Sequence, residues 1–284
     1  MSLPALFIGV VSHDGSRFSL SQGPQGLAYR LSGAISGTEV AVNTRDLFDE
    51  TGAQVGPGDV QASLTAELEV EKRWNAFLER PLGASSVIEP FARNVKRQWR
   101  RVSPPSPTTV RRLLNIELSH LDLLRRGLAS QAPWVLIVED DGWASDIADL
   151  AGGLEHLMKT ASRWGDVGYV NLSASFSSSE LGINHLLQPA DLSWGGSSPR
   201  AILGTSLPVT NTVCAILYSA DFLATLVEIM DTLPVKPVVP IDWKLNLALM
   251  SLSEAGQTRE TTCLFVEPAP IVQLSMQPTG ILPE

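Results

Sequence analysis

Apolar residues along the chain fall into two alternating patterns, short continuous runs and longer stretches with helical patterning. The short runs are Ala5–Val11, Thr38–Val42, Trp134–Val138, Val167–Leu172, Val213–Tyr218 and Cys263–Val266. The helical stretches cover residues 20–31, 64–101, 107–128, 146–164, 219–233 and 242–254. Continuous apolar runs of this length are typical of strands buried on both faces. The alternation therefore predicts an α/β fold, a sheet covered by helices, in one domain over residues 1–284.

Local signals predict where several helices start and where loops lie. Serine is a preferred N-cap residue, and it stands at three predicted helix starts. These serines are Ser106, Ser145 and Ser219. Pro107, at the first helical position, strengthens the first of these starts. Segments rich in Gly, Ser and Pro are predicted to be loops or linkers. They are residues 50–62, 103–107 and 173–212.

The net charge of the chain is −9, which argues against a general nucleic-acid-binding protein. The charge is unevenly distributed, because residues 90–126 hold nine Arg and Lys against two acidic residues. One interpretation of this basic segment is a solvated helical surface. The other is a wall that faces an anionic ligand or acceptor, or a peripheral association with an anionic membrane.

The apolar runs and the cysteines narrow the class of protein further. No run approaches the length of about 20 residues that a membrane helix needs. The start of the chain lacks a basic region and a small-residue cleavage site, so we interpret it as a first strand and predict a cytoplasmic protein. Cys214 and Cys263 lie in apolar segments and are expected to be small buried hydrophobes. Two Cys and four unclustered His do not suffice for a zinc site.

The acidic run Glu139-Asp140-Asp141 directly follows the apolar run Trp134–Val138. Open α/β sheets bind ligands at the carboxyl ends of their strands, so the run stands where a site is expected. Adjacent carboxylates repel one another unless a cation compensates them, and their oxygens suit Mg²⁺ or Mn²⁺. Side chains alternate in an extended chain, which predicts Glu139 and Asp141 on one side. We predict Asp141 as the direct metal ligand; the alternative is that the acids only begin a solvated loop.

The same acidic run resembles the first strand of response-regulator receiver domains. There, an acidic pair binds Mg²⁺ beside a phosphorylatable Asp that ends a later apolar strand, and a Lys lies beyond. In this chain the corresponding segment, residues 188–193, is not an apolar strand. No Lys occurs between Lys159 and Lys236. Both differences argue against a receiver domain.

Three blocks, in order, resemble glycosyltransferase family 25, the lipopolysaccharide-type and collagen-type transferases. The first is residues 113–128, whose Leu118-Ser119-His120 matches a Leu-Ser-His helix core. The second is residues 135–143, an apolar strand that runs into Glu-Asp-Asp. The third is residues 211–246, in which Pro240-Ile241-Asp242 stands where the family has Pro-Val-Asp. The chain departs from the family at Ile116-Glu117, where the first block of the family carries a cysteine and a glycine.

This resemblance implies a GT-A fold, a nucleotide-binding mixed sheet flanked by helices, with residues 64–101 as a helical insertion. It implies a metal-dependent hexosyltransferase that moves a sugar, with inversion, from a nucleotide-diphosphate sugar, a UDP-sugar above all. The acceptor would be a hydroxyl of a glycan, a lipid-linked sugar or a small molecule. Asp242 is then the base and Asp141 the Mn²⁺ or Mg²⁺ ligand. The residues expected to contact the nucleotide sugar are Val11, Ser12, Arg17, Asn43, Glu139 and Asp140.

Other interpretations of these residues stay open at this point. Asp242 can instead be a carboxylate stabilised by the dipole of the helix it begins. For His120, on a helix, we favour a structural, hydrogen-bonded role. Arg17 and the pair Arg111-Arg112 are weaker candidates for diphosphate contacts. The competing classes are a non-catalytic nucleotide-binding relative and, third, a nucleotidyltransferase, which would be expected to carry a glycine-rich basic loop after its first strand.

Overall fold

The computed structural model describes most of the chain in nine segments. They are residues 5–12, 26–43, 47–50, 54–79, 106–161, 167–173, 184–206, 213–259 and 262–274. Several predictions fall outside this part of the chain. They are the nucleotide contact Arg17, the basic residues between 93 and 101, and the linker at residues 103–105.

The described strands form one large mixed sheet and one small antiparallel pair. The strands are β1 (Leu6–Val11), β2 (Thr38–Asn43), β3 (Trp134–Glu139), β4 (Gly142–Trp143), β5 (Tyr169–Asn171), β6 (Gln188–Pro189), β7 (Ala201–Thr205), β8 (Ala215–Ser219), β9 (Cys263–Glu267) and β10 (Val272–Gln273). Eight of them lie side by side in the order β2-β1-β3-β8-β5-β9-β7-β6. The neighbours β2, β1 and β3 run parallel, and β8 is antiparallel to both β3 and β5. Strands β4 and β10 pair separately.

Helices cover both faces of the large sheet. They are α1 (Leu27–Ala34), α2 (Leu47–Glu50), α3 (Pro57–Glu79), α4 (Pro107–Ala129), α5 (Ile147–Ala161), α6 (Ala220–Thr232) and α7 (Ile241–Glu254). Within the described residues, none of these helices has the length and apolarity needed to cross a membrane. The prediction of an α/β fold with a helix-covered sheet is confirmed.

Successive residues of each central strand face opposite helical layers, as the period of two requires. In β1, Leu6, Ile8 and Val10 pack in a core with α1 and α5. Phe7 and Val11 pack on the other face in a core with α4, α6 and α7. These strands are buried throughout because helices lie on both sides, which explains their continuous apolar sequence.

Helix α4 packs closely against the sheet at two glycines. Its start is fixed as predicted, because the Ser106 hydroxyl accepts a hydrogen bond from the Thr109 amide at 3.2 Å. Near its end, a Cβ on Gly127 would lie 2.6 Å from Val135 Cγ1 in β3. A Cβ on Gly9 of β1 would lie 3.1 Å from Leu123 Cβ of α4. Both glycines are therefore needed for this close contact between helix and sheet.

Two predictions about helix starts are wrong, and a third is confirmed without the expected side-chain hydrogen bond. Helix α3 begins at Pro57, inside the predicted loop of residues 50–62, because Asp59 accepts a hydrogen bond from the Gly56 amide and stabilises a turn there. The first turn of α5 is capped by Asp146, which accepts from the Asp149 amide at 2.8 Å, and not by Ser145. Ser219 is the N-cap residue of α6, as predicted, but its hydroxyl makes no capping hydrogen bond because it donates to the Val167 carbonyl.

Two further predictions need correction at the level of elements. The predicted loop at residues 173–212 contains β6 and β7 within its described residues. Strand β7 forms because it pairs with β9, whereas its own sequence of mixed polar and apolar residues does not indicate a strand. The first helix is described from Leu27 to Ala34, later than the predicted residues 20–31.

Candidate functional site

Strand register brings the predicted site residues to one edge of the sheet. Val11, the last residue of β1, pairs with Asn43 on one side and with Glu139 on the other. All three stand at the carboxyl ends of parallel strands. Strand β8 runs the opposite way, so Cys214, which precedes it, reaches the same edge, and its carbonyl accepts from the Glu139 amide at 2.8 Å.

The acidic run then divides between two sides of the chain. Asp140 turns toward β1, where its amide donates to the Val11 carbonyl at 2.9 Å and its carboxylate accepts from the Ser12 hydroxyl at 3.3 Å. Glu139 and Asp141 lie on the other side, together with Cys214. The ligand atoms of these three residues lie within 4.8 Å of one another. The side chains of Glu139 and Asp141 thus lie on the same side of the chain, as predicted.

A short pair of strands, β4 and β10, holds the acidic run in place. Strand β10 pairs with β4, which immediately follows the run. The side-chain amide of Gln273 donates to Glu139 Oε2 at 3.1 Å, and the backbone amide of Leu274 donates to the Asp141 carbonyl at 2.9 Å. The turn that carries the carboxylates is therefore fixed by residues more than 130 positions away in sequence.

Helix α4 supplies a third set of contacts to the same edge. His120 is buried, and its Nε2 lies 3.4 Å from Glu139 Oε1. Asp122, on the same helix, accepts from the Asn43 amide at 3.3 Å. The structural role favoured for His120 therefore includes holding a residue of the candidate site.

The acidic edge brings buried carboxylates close together. Asp140 and Asp141 are only 5% and 7% exposed, although both carry carboxylates next to Glu139. Burial, and then the charges of Glu139 and Asp141, raise the pKa of the Cys214 thiol well above its usual value. Buried like charges are costly without a compensating cation. Two carboxylates and a thiol at this spacing can supply protein ligands to such an ion.

Asp242 lies outside this cluster, in the first turn of α7, and is half-buried. Helix α7 packs against α4, the helix that carries His120. One link between the two helices is a buried pair, in which the Lys244 ammonium donates to Glu117 Oε1. Asp242 is thus connected to the acidic edge through α4.

Two cavities among the described residues lie at opposite edges of the sheet. A cavity of about 10 Å³, room for one water molecule, separates the start of α1 from Asp140 and Trp143. A larger cleft of about 430 Å³ lies at the amino end of β3, between Trp134, Phe222 and Arg259. Ligands of open α/β sheets bind at the carboxyl ends of the strands. We therefore place the candidate site at the acidic edge; residues 13–25 and 44–46, which follow β1 and β2 there, lie outside the described part.

Two residues of the candidate site were not predicted from the sequence. Cys214 is buried, as predicted, but it also joins the acidic cluster. Gln273 lies near the end of the chain and gave no signal, because only the β4–β10 pairing brings it to Glu139.

No model of a known protein family matches the chain, and no curated protein matches it.

Proposed function

We propose that the protein is a metal-dependent glycosyltransferase with a GT-A fold. It would move a hexose, with inversion, from a nucleotide-diphosphate sugar, a UDP-sugar above all, to an acceptor hydroxyl. The observation that carries the proposal is the cluster of Glu139, Asp141 and Cys214 at the carboxyl edge of parallel strands. The resemblance of three sequence blocks to family 25 supports the same assignment.

Glu139 and Asp141 would hold a divalent cation at the acidic edge. Mg²⁺ and Mn²⁺ commonly bind through one or two carboxylates plus substrate phosphates. Either ion suits the two carboxylates, because Mg²⁺ and Mn²⁺ both take oxygen ligands. The Cys214 thiol donates a hydrogen bond to Asp141 and does not distinguish between the two ions. When bound, the ion supplies positive charge to the departing diphosphate.

The remaining roles belong to side chains of this protein. Asp242 accepts the proton of the acceptor hydroxyl while that oxygen forms a bond to the anomeric carbon. The bond from the anomeric carbon to the diphosphate oxygen breaks on the opposite face of the sugar. The nucleoside diphosphate leaves with the electron pair. Ser12 and Asn43 lie at the ends of β1 and β2, near Asp140, and would contact the nucleotide sugar.

Calorimetric titration of UDP tests the metal site directly. In the presence of Mn²⁺, we expect wild type to bind UDP and Asp141→Asn to bind it at least tenfold more weakly, because loss of a metal ligand or its support typically costs 10–100-fold in affinity. Asp221→Asn is the matched control, since Asp221 lies at the opposite edge of the sheet. Without Mn²⁺, wild type and both variants should bind UDP equally weakly.

Equal Mn²⁺-dependent affinity in wild type and Asp141→Asn would contradict the metal site. Turnover is measured separately, as UDP release from a panel of UDP-hexoses with water and methyl glycosides as acceptors. Metal-dependent binding without UDP release would instead identify a nucleotide-binding relative that has lost catalysis.

A further inference from the structure

The contact between α4 and α7 contains a buried pair of opposite charges. The side chains of Glu117 and Lys244 are 0% and 3% exposed. The Lys244 ammonium donates a hydrogen bond to Glu117 Oε1. Charged side chains at helix contacts of this depth are uncommon unless they are paired.

Stability does not explain why this pair is present. Removing two charges from water costs several kcal/mol per ion, and apolar residues of similar volume are often as stable or more so. Glu117 Oε2, moreover, has no hydrogen-bond partner among the described residues. Burial accordingly raises the pKa of Glu117, and the charge of Lys244 only partly opposes this. The pair is geometrically specific, since a single ammonium must meet a single carboxylate oxygen.

The sequence positions of the pair connect two parts of the candidate site. Glu117 lies three residues before His120, whose Nε2 lies 3.4 Å from Glu139. Lys244 lies two residues after Asp242, in the first turns of α7. The start of α7 has no side-chain cap of its own, because Pro240 occupies the N-cap position. The ion pair is therefore a specific, buried polar contact between the start of α7 and α4.

We propose that Glu117 and Lys244 are positioning residues that hold Asp242 in place relative to the acidic edge. This inference rests on the proposed function, with Asp242 as the base. It assigns the pair no contact with substrate. The pair acts by fixing the start of α7 against the helix that also holds Glu139.

A double exchange, Glu117→Met with Lys244→Met, removes both charges at similar side-chain volume. We expect a melting temperature equal to or above that of wild type, and unchanged Mn²⁺-dependent affinity for UDP. The rate constant kcat for UDP release from a UDP-hexose should fall on the order of 10²-fold, the effect of a misplaced reacting group. KM for the donor should stay within about twofold, because the donor site is untouched.

A double-mutant cycle with Asp242→Asn separates positioning from a general effect on the fold. If the pair acts through Asp242, the exchange has no further effect on kcat in the Asp242→Asn background. The single exchange Lys244→Arg keeps a positive charge beside Glu117. It should therefore retain part of the activity that the double exchange loses. Should the double exchange fail to fold, Lys244→Arg replaces it in the same cycle. We then expect a smaller loss of kcat in the wild-type background and no further loss in the Asp242→Asn background.

The outcomes distinguish this inference from the proposed function. If the double exchange leaves kcat unchanged, or lowers it equally in the wild-type and Asp242→Asn backgrounds, the positioning role is overturned and the proposed function is not affected. Wild-type protein that neither binds UDP with Mn²⁺ nor releases UDP would overturn the proposed function and the inference with it. Asp242→Asn with wild-type kcat would remove Asp242 as the base, and with it the residue that the pair is inferred to position.

Discussion

Asp149 is the buried acid with the largest set of described hydrogen bonds outside the candidate site. Its carboxylate accepts from the Ser198 amide at 2.7 Å, from the Ser197 hydroxyl at 3.3 Å and from Arg200 at 3.2 Å. Burial acts to raise the pKa of Asp149, but the hydrogen bonds from Ser198 and Arg200 outweigh it, and the net pKa is lowered. These contacts tie the segment between β6 and β7 to α5.

The lowered pKa of Asp149 predicts a specific dependence of stability on pH. A carboxyl whose folded pKa lies below its unfolded value contributes stability above the unfolded pKa, about 3.9, and loses it as pH falls through the folded value. We expect Asp149→Asn to lower the free energy of unfolding at pH 7 by about 2 kcal/mol, the scale of hydrogen bonds to a charged group. Urea unfolding from about pH 5 to 2 should show a flatter profile for this variant.

The control for this experiment is Asp191→Asn, because Asp191 is exposed. It should match wild type at pH 7 within about 0.5 kcal/mol. A steep acid dependence that survives Asp149→Asn unchanged would show that other carboxyls, and not Asp149, govern acid stability.

At the scale of elements, α4 can contact the sheet closely because Gly127 has no side chain. A Cβ on Gly127 would meet Val135 Cγ1 at 2.6 Å and Phe7 Cδ1 at 3.2 Å, and both partners are core residues. We expect Gly127→Ala to lower the free energy of unfolding by about 1–3 kcal/mol through overpacking. Gly33→Ala is the matched control on α1, where a Cβ has nothing within 4 Å.

The control should move stability the other way. Alanine is favoured over glycine in a helix by about 1 kcal/mol, so Gly33→Ala is expected to raise the free energy of unfolding. Urea unfolding of the two variants beside wild type measures both effects. Destabilisation by both variants to the same extent would mean that helix backbone effects, and not the approach of α4 to β3, decide the outcome at Gly127.

The same scale explains which elements the sequence could predict. Strands β3 and β9 are buried on both faces, and their continuous apolar runs predicted them within one residue. Strand β7 has exposed and buried positions mixed within five residues, and it lies in a segment rich in Gly and Ser. Its place is set by pairing with β9, about 60 residues later, which no local pattern can reveal. The start of α3 at Pro57 was missed because a hydrogen bond from the Gly56 amide to the Asp59 side chain stabilises the turn there.

At the scale of the whole molecule, the candidate site joins segments from all parts of the chain. Glu139 and Asp141 were predictable because they are adjacent in sequence and follow a strand. Cys214 reaches them only because β8 is antiparallel to β3, and Gln273 only because β10 pairs with β4. The direction and order of strands thus decide which residues complete the cluster. A ligand bound there contacts an assembly that exists only in the folded protein.

This convergence predicts a global effect of ligand on stability. A ligand that binds only the native state at about 100 times its Kd adds about 2.7 kcal/mol, which corresponds to a rise in Tm of roughly 5 °C or more for a protein of this size. We expect Mn²⁺ with UDP to raise Tm by more than the sum of their separate effects, because each increases the affinity of the other. EDTA should abolish the increase, and Asp141→Asn should lose most of it, whereas Asp221→Asn should keep it. A rise with UDP that is the same with Mn²⁺ and with EDTA would place nucleotide binding away from the cluster of Glu139, Asp141 and Cys214.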